Sequence, residues 1–209
     1  MDETHGQYPL ITIEGPDFSG KTSLTKFLAE ALGAALLVFP TQDGEVGKLI
    51  RRAFASEIKL SPQTLGYLMV ADGLDQEARI KELLENQPVV MDRHTTVSGW
   101  VYQTAVYSVD AVLAIQQRGQ FRTPDVVFVL DVPEEVTLAR MESRAALNPL
   151  YEKKDLAHLT TMRRRYLAYH FMHANTILLD GTKSVEELAE TVVGVLHAIG
   201  RTVAFASLR

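Results

Sequence analysis

The chain has 209 residues, 46% of them apolar, enough for one α/β domain with a substantial buried core; it has no cysteine, which excludes disulfides, thiolate metal sites and a thiol nucleophile. A formal charge of −5 argues against an electrostatic grip on nucleic acid, although an acidic total still permits a local basic cleft for phosphates. The polar start, Met1 to Tyr8, lacks the basic flank and apolar centre of a secretory signal, and the apolar runs 34–39 and 126–130 are far too short to span a bilayer, so a protein of the reducing cytoplasm is expected.

Leu10 to Glu14 reads as a buried strand, and Thr22 to Leu32 as a helix with Leu24, Phe27, Leu28 and Leu32 at helical spacing. Between them Gly15-Pro16-Asp17-Phe18-Ser19-Gly20-Lys21-Thr22 fits the phosphate-loop pattern of Gly, four variable residues, then Gly-Lys-Ser/Thr. A glycine turn that happens to contain Lys-Thr is the bland alternative, but strand, glycine loop and helix is the context the motif requires. Glycines let successive backbone N–H groups turn inward around phosphate oxygens, and the helix start adds unpaired N–H groups and the positive end of its dipole. Donor phosphates are therefore expected on Gly15, Ser19, Gly20, Lys21, Thr22 and Ser23. Lys21 would reach the β/γ-phosphates and the Thr22 hydroxyl would ligate Mg²⁺.

Gly33 stops the first helix, and a short strand over 34–39 ends at Pro40. A helix from about Val46 carries Leu49, Ile50 and Phe54 on one face. Another follows Pro62 with Leu65, Leu68 and Met69, running on through Ile80, Leu83 and Leu84 with a possible break at Gly73. Val89-Val90-Met91 is the third strand, with Asp92-Arg93-His94 at its carboxyl end. Trp100 to Gln117 is apolar at helical spacing. Pro124-Asp125 introduces a fourth strand, Val126 to Leu130, and a helix from Glu134 carries Arg140 and Arg144 on one face. A polar bridge over 145–155 leads to a helix through Leu156, Leu159, Met162, Tyr166 and Leu167. Thr176 to Leu179 is the fifth strand, and Asp180 to Ser184 turns into a last amphipathic helix through Val185, Leu188, Val192 and Leu196.

Strands alternating with helices predict a five-stranded parallel sheet covered by helices on both faces, the three-layer α/β architecture of P-loop NTPases. No repeat or linker divides residues 1–209, so one domain is expected. Ligands of such sheets bind at the carboxyl ends of the strands, which brings the glycine loop and Asp92-Arg93 to one crevice. Asp92 is placed to hold Mg²⁺, often through water, and Arg93 offers a planar fork for a phosphate. Asp-Arg after a strand is also an ordinary capping turn; its pairing with the glycine loop favours the functional reading.

The sequence resembles the thymidylate kinase family nearly end to end. The likeness runs from Ile13-Glu14-Gly15-Pro16-Asp17 through Lys21-Thr22 to Phe39-Pro40 and Gly44 to Arg51. It continues with Ala71-Asp72, then Asp92-Arg93-His94 with Ser98 and Tyr102-Gln103. Pro124-Asp125 before Leu130-Asp131, Arg140 with Arg144, Tyr151-Glu152 and Asp180 to Ser184 complete it. The resemblance implies ATP with Mg²⁺ as donor, a nucleoside monophosphate as acceptor, and a homodimer. It implies that Asp17 holds the 3′-hydroxyl of the acceptor sugar, that Arg93 binds the acceptor phosphate, and that Tyr102 and Gln103 lie along its base and sugar. Phe39, Pro40, Gln42, Arg51, Met69 and Ser98 are further acceptor positions by the same likeness. Arg140, Thr182 and Lys183 fall on the adenine side, and 145–155 corresponds to the mobile lid. Phe18 stands where some members carry an arginine, so the catalytic cation is expected from the lid, with Arg144 first and Lys153 and Lys154 next.

Several positions depart from the family pattern. Gln42 and Gly73 stand where many members have arginine, and Met69 replaces an aromatic. Three residues, Thr95 to Val97, separate His94 from Ser98 where two are common, and Asn148-Pro149-Leu150 replaces a lid Asp-Arg pair. The expected activity is phosphoryl transfer from ATP to a nucleoside monophosphate, with dTMP the first candidate. A kinase for a modified pyrimidine nucleotide or a nucleoside, and a nucleotide-binding protein without acceptor turnover, are the alternatives. No Asn-Lys-x-Asp segment points to a guanine-reading GTPase. Arg163-Arg164-Arg165 is expected as a solvated helix face, His94 as a site-lining residue and Trp100 as core; His158, His170 and His173 lack metal-ligand company.

Overall fold

The computed structural model describes residues 8–103, 107–147, 156–201 and 203, with side chains not described at 109, 116 and 144–147. Five parallel strands, β1 (Leu10–Glu14), β2 (Ala35–Val38), β3 (Val89–Asp92), β4 (Val126–Asp131) and β5 (Thr176–Asp180), form one sheet in the order β2-β3-β1-β4-β5. β1 pairs with both β3 and β4, Ile11 standing opposite Val90 and Val126, so the glycine loop leaves the centre of the sheet. Described helices are α1 (Lys21–Leu32), α2 (Glu45–Phe54), α3 (Pro62–Leu84), α4 (Thr95–Gln103), α5 (Val109–Gly119), α6 (Glu134–Leu147), α7 (Leu156–Met172) and α8 (Val185–Ala198).

Strand side chains alternate between faces, and the two faces bury different helices. Ile11, Ile13, Val90, Phe128 and Leu130 pack on Leu24 and Leu28 of α1 and on Leu188, Val192 and Leu196 of α8. On the other face Val127 and Val129 meet Val97, Trp100 and Val101 of α4, Val112 of α5, and Met162 and Tyr166 of α7. Leu10, Val89 and Met91 there meet Ile80 and Leu84 of α3. The α/β fold with helices on both faces is as expected, and so is the burial of Trp100, 6% exposed.

Three expectations change. The second strand is Ala35–Val38, shorter than 34–39, although the Phe39 amide still donates to Asp92 O at 3.0 Å. The segment 100–117 is two helices; Ser108 restarts the chain as an N-cap whose hydroxyl accepts from the Ala111 amide at 3.3 Å. Finally, α3 runs unbroken past Gly73 for 23 residues. A Cβ at Gly73 would lie 2.1 Å from Thr95 Oγ1 and 2.7 Å from Thr95 Cβ, so glycine there lets α4 approach the α3 backbone. Helix propensity alone favours Gly73→Ala by about 1 kcal/mol, but wedging α4 away costs roughly 1–3 kcal/mol. Gly73→Ala is therefore expected to destabilise the fold, read as a lower urea midpoint at unchanged slope; a raised midpoint would refute the packing argument.

Candidate active site

The glycine loop is shaped by close approaches. A Cβ on Gly15, at φ 143°, would meet Leu130 O at 2.9 Å and Ser19 Oγ at 3.0 Å. Gly20, at φ 99°, opens α1 without any side-chain cap, leaving the first-turn N–H groups for an anion. The Ser19 hydroxyl is buried without a hydrogen-bond partner among the described residues. Lys21 is 7% exposed and its ammonium donates to Pro16 O at 2.6 Å. Burial, with repulsion from Arg93, pulls its pKa down to about 8. Thr22 Oγ1 donates to Asp92 Oδ2 at 2.7 Å, joining the start of α1 to the end of β3. A hydroxyl and a carboxylate brought together this way are a hard-oxygen donor set, which suits Mg²⁺.

A cavity of about 680 Å³ opens over this loop, walled by Ser19 to Ser23, by Val136, Ala139, Arg140 and Ser143 of α6, and by Gly181 and Lys183 after β5. Arg140 donates to Ser19 O at 3.1 Å and to Gly181 O at 3.0 Å, fixing its guanidinium as a shelf on the cavity wall. Arg140 and Lys183 thus lie where the adenine side was expected. Thr182 does not line the cavity; it is exposed, and its hydroxyl turns back to Asp180 Oδ1 at 2.6 Å. The Arg144 side chain, Lys153, Lys154 and most of the expected lid lie outside the described residues.

A second cavity, of about 740 Å³, lies on the other side of the loop. It gathers Asp17, Phe39, Pro40, Arg51, Met69, Arg93, Ser98, Tyr102 and Gln103 from six parts of the chain. Gln42 is exposed and does not line it. Gly73 does not line it either, and the packing of Thr95 leaves no room at that position for any side chain. Arg51 donates to Pro40 O at 3.1 Å and also to Thr41 O, so the cavity keeps a second guanidinium. Gln103 donates to Gly66 O at 3.1 Å and braces α4 on α3. Phe54, Pro62, Leu65, Tyr107 and His158 also line the wall; in sequence they read as helix faces or a helix start, and nothing local marked them.

Arg93 occupies the floor at φ 71°. Its Nη2 donates to Asp17 Oδ1 at 2.8 Å, its Nη1 donates to the Tyr166 hydroxyl, and its guanidinium stands 5.3 Å from the Tyr102 ring centre. The Tyr166 hydroxyl in turn donates to Glu14 Oε2 at 2.9 Å. Neither Glu14 nor Tyr166 stands out as a site residue in the sequence; Glu14 reads as the acidic end of a strand within the family likeness and Tyr166 as a helix-face position.

His94 is not a site-lining residue. It is 1% exposed, its amide donates to Glu14 Oε1 at 2.8 Å, and its ring pairs with Thr96 Oγ1 at 2.8 Å. Burial, reinforced by Arg122, lowers its pKa to about 4 from 6.5. The unfolded chain therefore binds a proton that the folded chain refuses, and stability falls as pH drops from 6.5 towards 4, by roughly 1.4 kcal/mol per unit. Urea titrations at pH 7 and pH 5 should show this loss shrinking in His94→Asn; an unchanged pH dependence in that variant would discount the residue. The arginine run also differs from a solvated face. Arg163 pairs with Asp131 at 2.6 Å and Glu134 at 2.7 Å, and Arg165 donates to Val101 O at 3.1 Å, leaving Arg164 as the exposed member.

The thymidylate kinase family model matches residues 13–192. The chain is 34% identical over 190 residues to a probable thymidylate kinase of Methanocaldococcus jannaschii, covering 90% of this chain and 96% of that one. It is 33% identical over 196 residues to a probable thymidylate kinase of Archaeoglobus fulgidus, covering 90% and 95%. The solved thymidylate kinase structure from Candida albicans superimposes with a TM-score of 0.71 over 98% of this chain and 100% of that one, at 18% identity, and so shares the fold.

Proposed function

This chain belongs to the thymidylate kinase family and is a nucleoside monophosphate kinase, and from that membership we propose that it transfers the γ-phosphoryl group of ATP to dTMP, giving ADP and dTDP. The observation that carries this reading is the glycine loop as a shared partition: Phe18 lines both cavities, Lys21 faces the first and Asp17 the second. ATP takes the cavity of Lys21, Arg140 and Lys183, and the monophosphate takes the cavity of Arg93 and Arg51.

Little covalent work falls to the protein. The acceptor phosphate has a second pKa of about 6, so at neutral pH its oxygen is already deprotonated and needs no general base. An acceptor oxygen bonds to the γ-phosphorus as the bond to the β–γ bridging oxygen breaks, and that oxygen leaves on ADP. Lys21 and the first-turn N–H groups hold the transferring charge, Arg93 holds the nucleophilic phosphate, and Asp17 holds the 3′-hydroxyl. Thr22 and Asp92 would hold Mg²⁺, which supplies charge neutralisation at the phosphates. Arg144, one turn beyond Arg140 on α6, is assigned the cation that joins the transferring group when the segment over 145–155 closes and excludes water.

Among the described residues no helix is long and apolar enough to cross a membrane. A cytoplasmic homodimer that binds no nucleic acid belongs to the same proposal; Tyr67 and Leu74, seven residues apart on one face of α3, are 60% and 44% exposed and form its apolar stripe. A modified pyrimidine monophosphate is the second reading, favoured by Met69 in the acceptor wall, a flexible side chain that adapts to a larger base. The test is kcat/KM with ATP and Mg²⁺ for dTMP, dUMP, 5-hydroxymethyl-dUMP, dCMP, dGMP and thymidine. Activity is expected on dTMP, abolished by EDTA and restored by Mg²⁺. Preference for 5-hydroxymethyl-dUMP would favour the second reading, and preference for thymidine over every monophosphate would overturn both.

A further inference from the structure

Glu14 is the last residue of β1 and is 0% exposed. Side-chain alternation puts it on the face of Leu10 and Thr12, beneath α4 and α7 rather than in the glycine loop. Its Oε1 accepts the His94 amide at 2.8 Å and the Ser98 hydroxyl at 3.2 Å, and its Oε2 accepts the Tyr166 hydroxyl at 2.9 Å. Arg93 Nη1 lies 3.8 Å from Oε2, beyond a direct hydrogen bond. The connection runs through Tyr166, 1% exposed, whose hydroxyl accepts from Arg93.

The polarity of this chain is fixed by chemistry. A guanidinium can only donate, so the Tyr166 oxygen accepts from Arg93 and its one proton points to Glu14. Glu14 Oε2 is then an acceptor, which is the role of an ionised carboxylate. Burial holds the Glu14 pKa above the usual carboxylate value, with Arg93 and the hydrogen bonds from His94 and Tyr166 opposing the rise, so the carboxylate depends on the guanidinium to keep its charge.

From this geometry we infer that Glu14 and Tyr166 are positioning residues for the acceptor phosphate, acting through Arg93. Resting on the kinase reading above, the inference concerns how the acceptor arginine is aimed. Arg93 has two carboxylate neighbours of different kind. The Asp17 side chain is 37% exposed and faces the cavity, where a bound sugar competes for it; the Glu14 side chain is 0% exposed and faces no ligand. When the acceptor engages Asp17, the Glu14–Tyr166 arm is what keeps the Arg93 fork in place. Because Glu14 also precedes Gly15, the same carboxylate ties β1, the end of β3, α4 and α7 together where the two substrates must meet.

The experiment uses Tyr166→Phe, which deletes the hydroxyl and keeps the ring, together with Arg93→Lys and the double variant. Tyr166→Phe is expected to raise the KM for dTMP about tenfold and to change the KM for ATP by less than about twofold. In the Arg93→Lys background the same substitution should add almost nothing, because the residue it acts through no longer presents the fork. Glu14→Gln should give the same acceptor-selective loss if it folds, since its amide has one oxygen to accept and an NH2 group that cannot replace the other acceptor. Equal losses for the two substrates, or additivity with Arg93→Lys, would overturn the inference. A wild type inert on every monophosphate would instead remove the kinase reading. The relay would then be judged by urea midpoints of the same four proteins, with non-additivity supporting it and additivity refuting it.

Discussion

Lys21→Ala is expected to lower kcat by about 10³-fold while leaving circular dichroism unchanged. The ammonium sits at the head of α1, 7% exposed, in the wall of the donor cavity, where the low dielectric makes a charge aimed at phosphate far stronger than in water. It donates to Pro16 O at 2.6 Å, a neutral partner that a phosphate oxygen readily replaces. A buried cation without a bidentate partner contributes little to folding, so the fold should tolerate its loss. The pH dependence gives a second measurement. The protonated amine is the binding form, and its pKa is depressed to about 8, so the charge is lost as pH rises through that value. For wild type, kcat/KM for ATP should be flat from about pH 7 to 8 and fall about tenfold per unit above that. Native turnover in Lys21→Ala with native circular dichroism would withdraw the phosphate-loop assignment.

Lys21 was legible because everything that defines it is local: a strand, a glycine turn and a helix within about two dozen consecutive residues, each with its own signal. The parallel sheet was legible for a similar reason, since five apolar runs each stop at a turn residue and the right-handed crossover leaves few ways to join them. What escaped depends on residues distant in sequence. Gly73 read as a break because a helix judged alone registers only glycine's intrinsic cost; Thr95, a residue of another helix, decides its role. Glu14 read as the polar end of a strand because its partners lie 80 and 152 residues away. The Arg163 ion pairs with Asp131 and Glu134 were hidden in the same way, since a run of three arginines resembles a solvated face until the helix is docked. The second cavity is intermediate. The positions carried by family resemblance fell into it with Gln42 excepted, while Phe54, Tyr107 and His158 became visible only when α2, the segment before α5, and α7 converged.

Arg93→Ala is expected to cost the acceptor step about as much as Lys21→Ala costs the donor step. The side chain is 14% exposed and answers to two carboxylates, Asp17 at 2.8 Å and Glu14 at 3.8 Å, with the Tyr102 ring beneath it. Removing it takes away the bidentate fork for the acceptor phosphate, leaves the Asp17 carboxylate facing the incoming anion and leaves the buried Glu14 carboxylate without its guanidinium neighbour. A bidentate fork makes two charge-assisted hydrogen bonds, each worth roughly 1.5–3 kcal/mol, and their loss falls on acceptor binding and on the transition state. The expected result is a loss of about 10³-fold in kcat/KM for dTMP, with the KM for ATP changed less than about threefold. Arg93→Lys should recover only part of this, because an ammonium restores the charge but not the planar geometry. Arg51 is the control. It lines the same cavity, but its Nη2 already donates to Pro40 O and Thr41 O, so one of its two terminal nitrogens is committed. Arg51→Ala should therefore cost about tenfold, no more than one charge-assisted hydrogen bond. If Arg51→Ala proved the more damaging of the two, the acceptor phosphate would have to be moved to the α2 side of the cavity. An unchanged KM for dTMP in Arg93→Ala would remove Arg93 from the acceptor site altogether.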